Sequence, residues 1–247
     1  YYDYANDASW GPEFDGRQYA PWYAWDPTDP RFGQTVSWEP CLDLYDLYKN
    51  GISNTTNVAF SRAGKNYSSR ISFSNVSRQG IQPNSDAARR YLSARTQFKP
   101  IDRLTVSVDY KYTYRHNHNA SYEGYSSYNP LRTYEQWGHT NVDLKDLKKN
   151  YTRPDGTIRT WNITSPTDFN GAYHPNPYAI YELVNRDYVY QYNIFSGDAE
   201  LDIWNNIKAG IRVNGNLRSY KYERGVPMYL VGLTSSYTQT QYMESDI

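Results

Sequence analysis

From Leu104 to Tyr114 the chain alternates without a break. Leu104, Val106, Val108, Tyr110, Tyr112 and Tyr114 are apolar or aromatic, and Thr105, Ser107, Asp109, Lys111 and Thr113 between them are polar. A helix would put Val106, Asp109 and Thr113 on one stripe; only a strand separates the two kinds of side chain, one on each face of a sheet. The pattern returns at Ile207 to Leu217, with Ile207, Ala209, Ile211, Val213 and Leu217 on one side and Lys208, Arg212, Asn214, Asn216 and then Arg218 on the other. Weaker strands are expected at about 52–62 (Thr56, Val58, Phe60), 67–77 (Ile71, Phe73), 88–98 (Leu92, Ala94, Phe98) and 188–203. In the last, the apolar phase moves from Tyr190, Tyr192 and Ile194 to Phe195, Ala199, Leu201 and Ile203, so a bulge is expected near Phe195 to Gly197.

The connections constrain the fold further. Ala63-Gly64-Lys65-Asn66, Lys99-Pro100-Ile101-Asp102-Arg103 and Trp204-Asn205-Asn206 read as tight turns. Between them lie Arg78 to Ala87, the long stretch 116–187 and the tail from Glu223. Short and long connections alternate, so an up-and-down sheet would carry short turns at one end and loops at the other, as outer-membrane barrels do. Strand 52–62 then descends from an extracellular loop at 18–50, and 116–187 is an outer loop of about seventy residues, a length that points to function. Within it Asn141 to Lys149 is expected to form a short helix with Leu144 and Leu147 inward, and Arg153-Pro154-Asp155-Gly156-Thr157 a turn.

Composition agrees with a surface that is wet on one side and apolar on the other. Tyr supplies 28 residues against 7 Trp and 7 Phe, hydrophobics make up 38%, and mean hydropathy is -0.88. Amphipathic rings in such excess suit membrane interfaces or sugar-binding grooves. No run of about 18 apolar residues occurs, which excludes a helical span but not a barrel, whose strands need about 9 to 11 residues with alternate positions apolar. Balanced charge, 26 against 26, gives no sign of a nucleic-acid partner. The lone Cys41 allows no internal disulfide and has no second thiol for a zinc site. The chain opens on Tyr1-Tyr2-Asp3 without a signal peptide, as a mature protein or an internal fragment would.

Several segments resemble one family. Asn6-Asp7-Ala8-Ser9-Trp10-Gly11-Pro12-Glu13-Phe14-Asp15-Gly16 is similar to the N-D-x-S-W-G-P-x-x-D-G stretch that follows the plug domain of SusC/RagA-like, TonB-dependent transporters. In the same order follow Asp43 to Gly51, similar to the family's N-x-x-D-F-F-x-T-G, and Asn57-Val58-Ala59-Phe60-Ser61. Gly80-Ile81-Gln82-Pro83-Asn84-Ser85 resembles K-G-I-x-P-N-S and is followed by Arg90, Leu92 and the turn Asp102-Arg103-Leu104, then Asn176-Pro177-Tyr178 and Asn185. The matches are collinear over roughly 1–217. The resemblance implies a 22-stranded outer-membrane barrel around a plug, driven by TonB and capped by a SusD-like surface lipoprotein, in contact with lipid and lipopolysaccharide. The plug, the TonB-contacting segment and an aromatic-ended last strand do not occur in the sequence, so it reads as a fragment of about six or seven strands, too few to close a plugged barrel.

The expected fold class is therefore all-β, an antiparallel transmembrane β-barrel segment with long extracellular loops. Residues 1–17 are expected to form the plug-to-barrel junction and first barrel strand, 18–50 an extracellular loop, 51–222 barrel strands with the large loop 116–187, and 223–247 the start of the next loop. Ligand contacts are expected from aromatic platforms and a cation in the outer loops: Trp22, Trp25, Trp38, Arg132, Trp137, Trp161 and Tyr173. The same rings could instead pack the small cores that large ordered loops require. Asp109, Lys111, Lys208, Arg212, Asn214 and Arg218 would face the lumen, and their mixed signs suit an uncharged substrate. Trp204 in a turn suits an interfacial anchor.

Other constellations carry less. Asp26/Asp29 and Asp143/Asp146 suit turns and a helix cap better than calcium binding or acid–base catalysis. His116, His118, His139 and His174 show only a lone i, i+2 pair and no metal-ligand spacing. Six sequons, at Asn54, Asn66, Asn75, Asn119, Asn150 and Asn162, arise by chance in a chain this rich in Asn, Ser and Thr, three of them in or beside strands. No enzymatic activity and no cofactor is expected. The expected function is TonB-dependent import of an oligosaccharide or peptide across a bacterial outer membrane; the alternative is a secreted all-β carbohydrate-binding or hydrolytic domain.

Overall fold

A computed structural model describes residues 2–7, 11–205, 207–227 and 230. Strand accounts for 49% of the described residues and helix for 13%, which makes the fold all-β. Two tiny strands, β1 (Gln18–Tyr19) and β2 (Val36–Ser37), pair with each other, as do β7 (Ile163–Ser165) and β8 (Asp168–Gly171). The remaining strands, β3 (Ile52–Gly64), β4 (Tyr67–Gln79), β5 (Asp86–Ile101), β6 (Leu104–His118), β9 (Asn185–Trp204) and β10 (Ile207–Gly225), form one open antiparallel sheet in the order β10-β9-β6-β5-β4-β3. Among the described residues it does not close into a barrel, and no helix is long and apolar enough to cross a membrane.

Two-residue turns join β3 to β4, β5 to β6 and β9 to β10, where Gly64 pairs with Tyr67, Ile101 with Leu104 and Trp204 with Ile207. Asn205 takes a φ of 37°, the left-handed geometry such turns demand. Pro100, which has no N–H to give a ladder, sits where the β5–β6 register slips between Phe98 and Ile101. At the opposite end lie the short connection 80–85 and the long one, 119–184. Residues 80–85 close on themselves: Gly80 N donates to Ser85 O at 2.8 Å and Ser85 Oγ to Gln82 O at 2.8 Å. A Cβ on Gly80 would collide with Ser85 Oγ. Asn84, with φ 50°, donates its amide to Tyr181 O at 3.0 Å and ties this connection to the longer one.

The ladders sort side chains onto two faces. Phe60, Ile71, Ala94, Tyr110 and Phe195 are successive cross-strand partners on one face, beside the row of Val58, Phe73, Leu92 and Tyr112. Among the described residues nothing covers that face: Phe60 is 64% exposed, Phe195 45% and Val213 66%. The other face carries Arg70, Arg95, Asp109, Ser196 and Asn214, partners along one row, bound among themselves. Here Arg95 meets Asp109 at 3.6 Å and Ser196 Oγ donates to Asn214 Oδ1 at 2.7 Å. The buried core lies outside the sheet, in a body built by residues 2–7, 18–50 and 119–184, joined by Val226 and Leu230 beyond β10.

Three expectations need correction. No strand of the sheet lies in the described part of 1–17: Tyr4 is fully buried in the loop body and its carbonyl accepts from Asn162 Nδ2 at 2.7 Å, so this segment is held by the loops, and no described residue pairs with the outer edge of β3. The bulge at Phe195 to Gly197 is absent, because β9 pairs without a break there with both neighbours. The region from 223 is strand as far as Gly225; Trp10, Asn206 and 231–247 of the expected junction, turn and next loop fall outside the described residues. Replacement of Gly80 by Ala is expected to lower stability by about 1 to 3 kcal/mol through overpacking against Ser85. Chemical denaturation checks it, with Gly197→Ala, where a Cβ meets nothing within 4 Å, as the control.

Candidate functional site on the loop body

Three short helices organise the loop body, each started by a residue that caps its free N–H groups. Asn129 Oδ1 accepts from Arg132 N at the start of α1 (Pro130–Trp137), and Asp143 from Lys145 N and Asp146 N at α2 (Leu144–Lys149). Asn176 accepts from Tyr178 N at α3 (Pro177–Leu183). Proline as the first helical residue of α1 and α3 fixes φ where no N–H is needed. Leu144 and Leu147 turn inward and are fully buried against Trp161, Tyr134, Tyr178 and Leu47.

A charged centre locks 18–50 onto 119–184. Asp26, 2% exposed, accepts from Arg153 Nε at 2.7 Å and Arg159 Nε at 3.1 Å, while Arg31 bridges Asp29 at 2.9 Å and Asp146 at 2.6 Å. Arg153 also donates to Ile158 O and Arg159 to Thr28 O, both at 2.8 Å, so the buried guanidinium groups are held by more than one acceptor. Burial alone would raise the Asp26 pKa, but bonds from Thr28 and Arg153 outweigh it and hold the carboxyl down to about 2. The acidic pairs thus serve as turn, cap and ion-pair residues together.

Three of the tryptophans expected to bind ligand are part of this interior. Trp22 is 3%, Trp38 4% and Trp161 0% exposed. Trp38 Nε1 donates to Glu13 O at 2.9 Å and Trp161 Nε1 to Trp137 O at 3.3 Å. Trp25 packs half-buried against the same core. Because a loop body of this size needs its own apolar centre, these rings are scaffold.

Arg132, Trp137 and Tyr173 come together at the surface. The Trp137 ring lies 5.3 Å from Tyr173 and 5.0 Å from His174, centroid to centroid, and the Arg132 guanidinium sits 3.2 Å over the centre of the Tyr125 ring. Tyr125 is 76% and Tyr173 54% exposed, whereas His174 is 3% exposed and neither of its ring nitrogens has a partner. Burial, reinforced by the charge of Arg132, pulls the His174 pKa down to about 4, so near neutral pH its imidazole is uncharged. Arg132 Nε and Nη2 and Trp137 Nε1 are likewise unpartnered. The arrangement offers two exposed rings, Tyr125 and Tyr173, above a buried layer of unpartnered polar atoms, a setting for the apolar face of a ring-shaped ligand. Tyr125 and His174 were not legible as parts of it, because their neighbours arrive through the fold of 119–184.

Asp109, Lys111, Lys208, Arg212, Asn214 and Arg218 do share one face of the sheet, joined through the β6–β9–β10 register. Lys208 pairs there with Glu200 at 2.7 Å and Asp202 at 3.4 Å. His116 Nε2 and His118 Nδ1 both contact Asp187 Oδ1, at 2.7 and 3.0 Å. His139 is a core residue bonded to the Tyr2 hydroxyl at 2.9 Å. No protein-family model and no curated protein matches the chain.

Arg153→Ala is expected to cost the loop body about 3 kcal/mol, since it strips a partner from a buried carboxylate. Amide hydrogen exchange should then accelerate in 119–184 and not in β4–β6. The folded Asp26 pKa lies below its unfolded value of about 3.9, so its contribution is complete above that value and is lost as pH falls from about 4 through 2. Exchange protection of the loop body should fall over that window.

Proposed function

We propose that the chain forms wall and substrate-facing loops of a bacterial outer-membrane β-barrel that imports a nutrient, in the manner of the SusC/RagA-like TonB-dependent transporters its motifs resemble. One observation carries this reading: a sheet of six long strands which, among the described residues, has a bare apolar face, a polar opposite face, and edge strands β3 and β10 with unpaired backbone groups. In water such a sheet would be an aggregation template. In a membrane, further strands would satisfy the edges and lipid the apolar face.

The apolar band supports the same reading by its slope. On β3 its exposed members are Val58 and Phe60, and on β10 it is centred on Ile211 and Val213. Following the register from Ile211 and Val213 across the sheet leads to Gly64 and Arg62, two rows closer to the turns than Phe60 and Val58. The band therefore descends about four residues across the sheet. Strands tilted against a barrel axis, as closure requires, would produce that diagonal when cut by a flat membrane. Trp204, 70% exposed at a turn, would anchor the lower interface. The loop body would face outward, its ring platform meeting substrate beneath a SusD-like lipoprotein, with TonB acting through a plug.

A pair of β10 variants tests the assignment of faces. Val213→Arg, on the apolar face, is expected to weaken folding into lipid bilayers by about 2 to 4 kcal/mol, and Asn216→Arg, on the polar face, to be tolerated. Equal behaviour of the two, or a wild-type protein that stays soluble and monomeric without detergent, would sink the proposal. Cysteine at exposed Tyr125, in a Cys41→Ser background, should react with an impermeant maleimide in intact cells, and cysteine at Trp204 only after lysis. Labelling of both alike would count against it.

A further inference from the structure

Unbroken pairing of β9 places Tyr188, Tyr190 and Tyr192 on the polar face with Lys111 and Asp198. Their partners on β10 are Tyr222, Tyr220 and Arg218. The Tyr188 and Tyr222 rings stack at 4.7 Å, Tyr190 and Tyr220 meet at 4.7 Å, and Tyr188 and Tyr220 link the two rungs at 6.5 Å. The column continues upward into the loop. The Arg186 guanidinium lies 5.5 Å from the centre of the Tyr188 ring and 3.7 Å from that of Tyr122, which in turn stacks on Tyr128 at 5.8 Å. Arg224 lies 4.9 Å over Tyr128. Arg186 is 8% exposed, its Nη2 bonded to Ala120 O and Ser121 O and its Nε without a partner.

We propose that this column of tyrosines and arginines is a binding track for an oligosaccharide, leading from the loop body onto the polar face. The inference rests on reading that face as the lumen wall, and it narrows the substrate from oligosaccharide or peptide to oligosaccharide.

The column is not needed to hold strands together. The same rows on β3 and β4 carry Ser53, Thr55 and Asn57 opposite Arg78, Val76 and Ser74, and the sheet pairs there without rings. Nor does a polar wall call for clustered aromatics; away from the column this face is mainly Ser, Thr, Asn, Arg, Lys and Asp, with Tyr91 in the row of Tyr192 as an isolated ring. What clustered tyrosines add is flat apolar area with a hydroxyl at its edge. That combination matches a pyranose ring, which is apolar on its C–H face and hydroxylated around its rim. At the upper end the exposed Arg224 guanidinium supplies in-plane donors to those hydroxyls, while the buried Arg186 holds the Tyr122 and Tyr188 rings in place. A peptide would seek backbone hydrogen bonds from a strand edge. β9 has none free, because β6 and β10 occupy both of its sides.

The full-length protein in detergent should retain short oligosaccharides from a pooled digest of polysaccharides of differing sugar composition, read by native mass spectrometry. Tyr190→Ala combined with Tyr220→Ala is expected to lower retention about tenfold or more, and Tyr112→Ala, on the opposite face, to leave it unchanged. Heat-modifiable migration on gels confirms that each variant is folded. Retention of no oligosaccharide by the wild type, equal retention by the double variant, or preferential retention of a pooled short-peptide digest would overturn the proposal. If Val213→Arg and Asn216→Arg still separate the two faces as expected, that failure falls on the track alone and not on the barrel.

Discussion

Register governs this molecule. Two-residue turns join three pairs of strands, and an antiparallel ladder with such a turn has no freedom to slide. A slip of one residue on β9 would carry Tyr188, Tyr190 and Tyr192 to the face of Phe60 and Tyr110, and bring Phe195, Leu201 and Ile203 among Asp109 and Lys111. The apolar band and the tyrosine column exist on separate faces only because that slip is forbidden by neighbours on both sides of the strand. Backbone bonding, indifferent to side chains, therefore decides which chemistry each surface can offer.

The chain divides its stabilising interactions between two regions. The sheet has no buried core and is held by its ladder and by polar contacts such as Arg95 to Asp109. The loop body has a dry aromatic centre around Trp161 and Tyr178, with a charged clamp of Asp26, Arg153 and Arg159 beside it. Fixing a connection as long as 119–184 is entropically expensive, and the clamp meets that cost by joining residues far apart in sequence. Its expected acid sensitivity is correspondingly local: protonating Asp26 would weaken this clamp, which has no member in the strand ladder.

Strands β6 and β10 were legible because each has one face of aliphatic residues against one of charge, a contrast that survives in one dimension. β9 was not, because tyrosine is at home on either face, so Tyr190 and Tyr192 suggested a phase change that the pairing does not contain. The alternation of turns and loops was readable from Gly, Pro, Asn and Asp alone. Segments singled out by motif acquired physical reasons: Gly80 tolerates no Cβ beside Ser85, and Asn176 caps α3 while its amide donates to Leu147 O at 3.1 Å. Tryptophan proved ambiguous. Trp22, Trp38 and Trp161 build the interior while Trp137 reaches the surface, and sequence carries no mark of the difference because burial is settled by residues more than a hundred positions away, as where Tyr4 meets Asn141.

The two aromatic arrangements follow from one another. The loop platform of Trp137 and Tyr173 is braced from below by Trp161, whose indole donates to the Trp137 carbonyl. The column starts in the same connection, at Tyr122 and Tyr128, where Asn119 exchanges hydrogen bonds with the backbone of Arg186. Connection 119–184 thus bears one set of rings on a rigid body and passes directly into the strand that bears the other. A ligand weakly held at each would be handed between surfaces whose separation is set by a folded body and not by a flexible tether. In the transporter proposed above, that geometry would be useful for a physical reason: several modest stacking contacts in series would give capture without a single deep well from which a substrate could not leave.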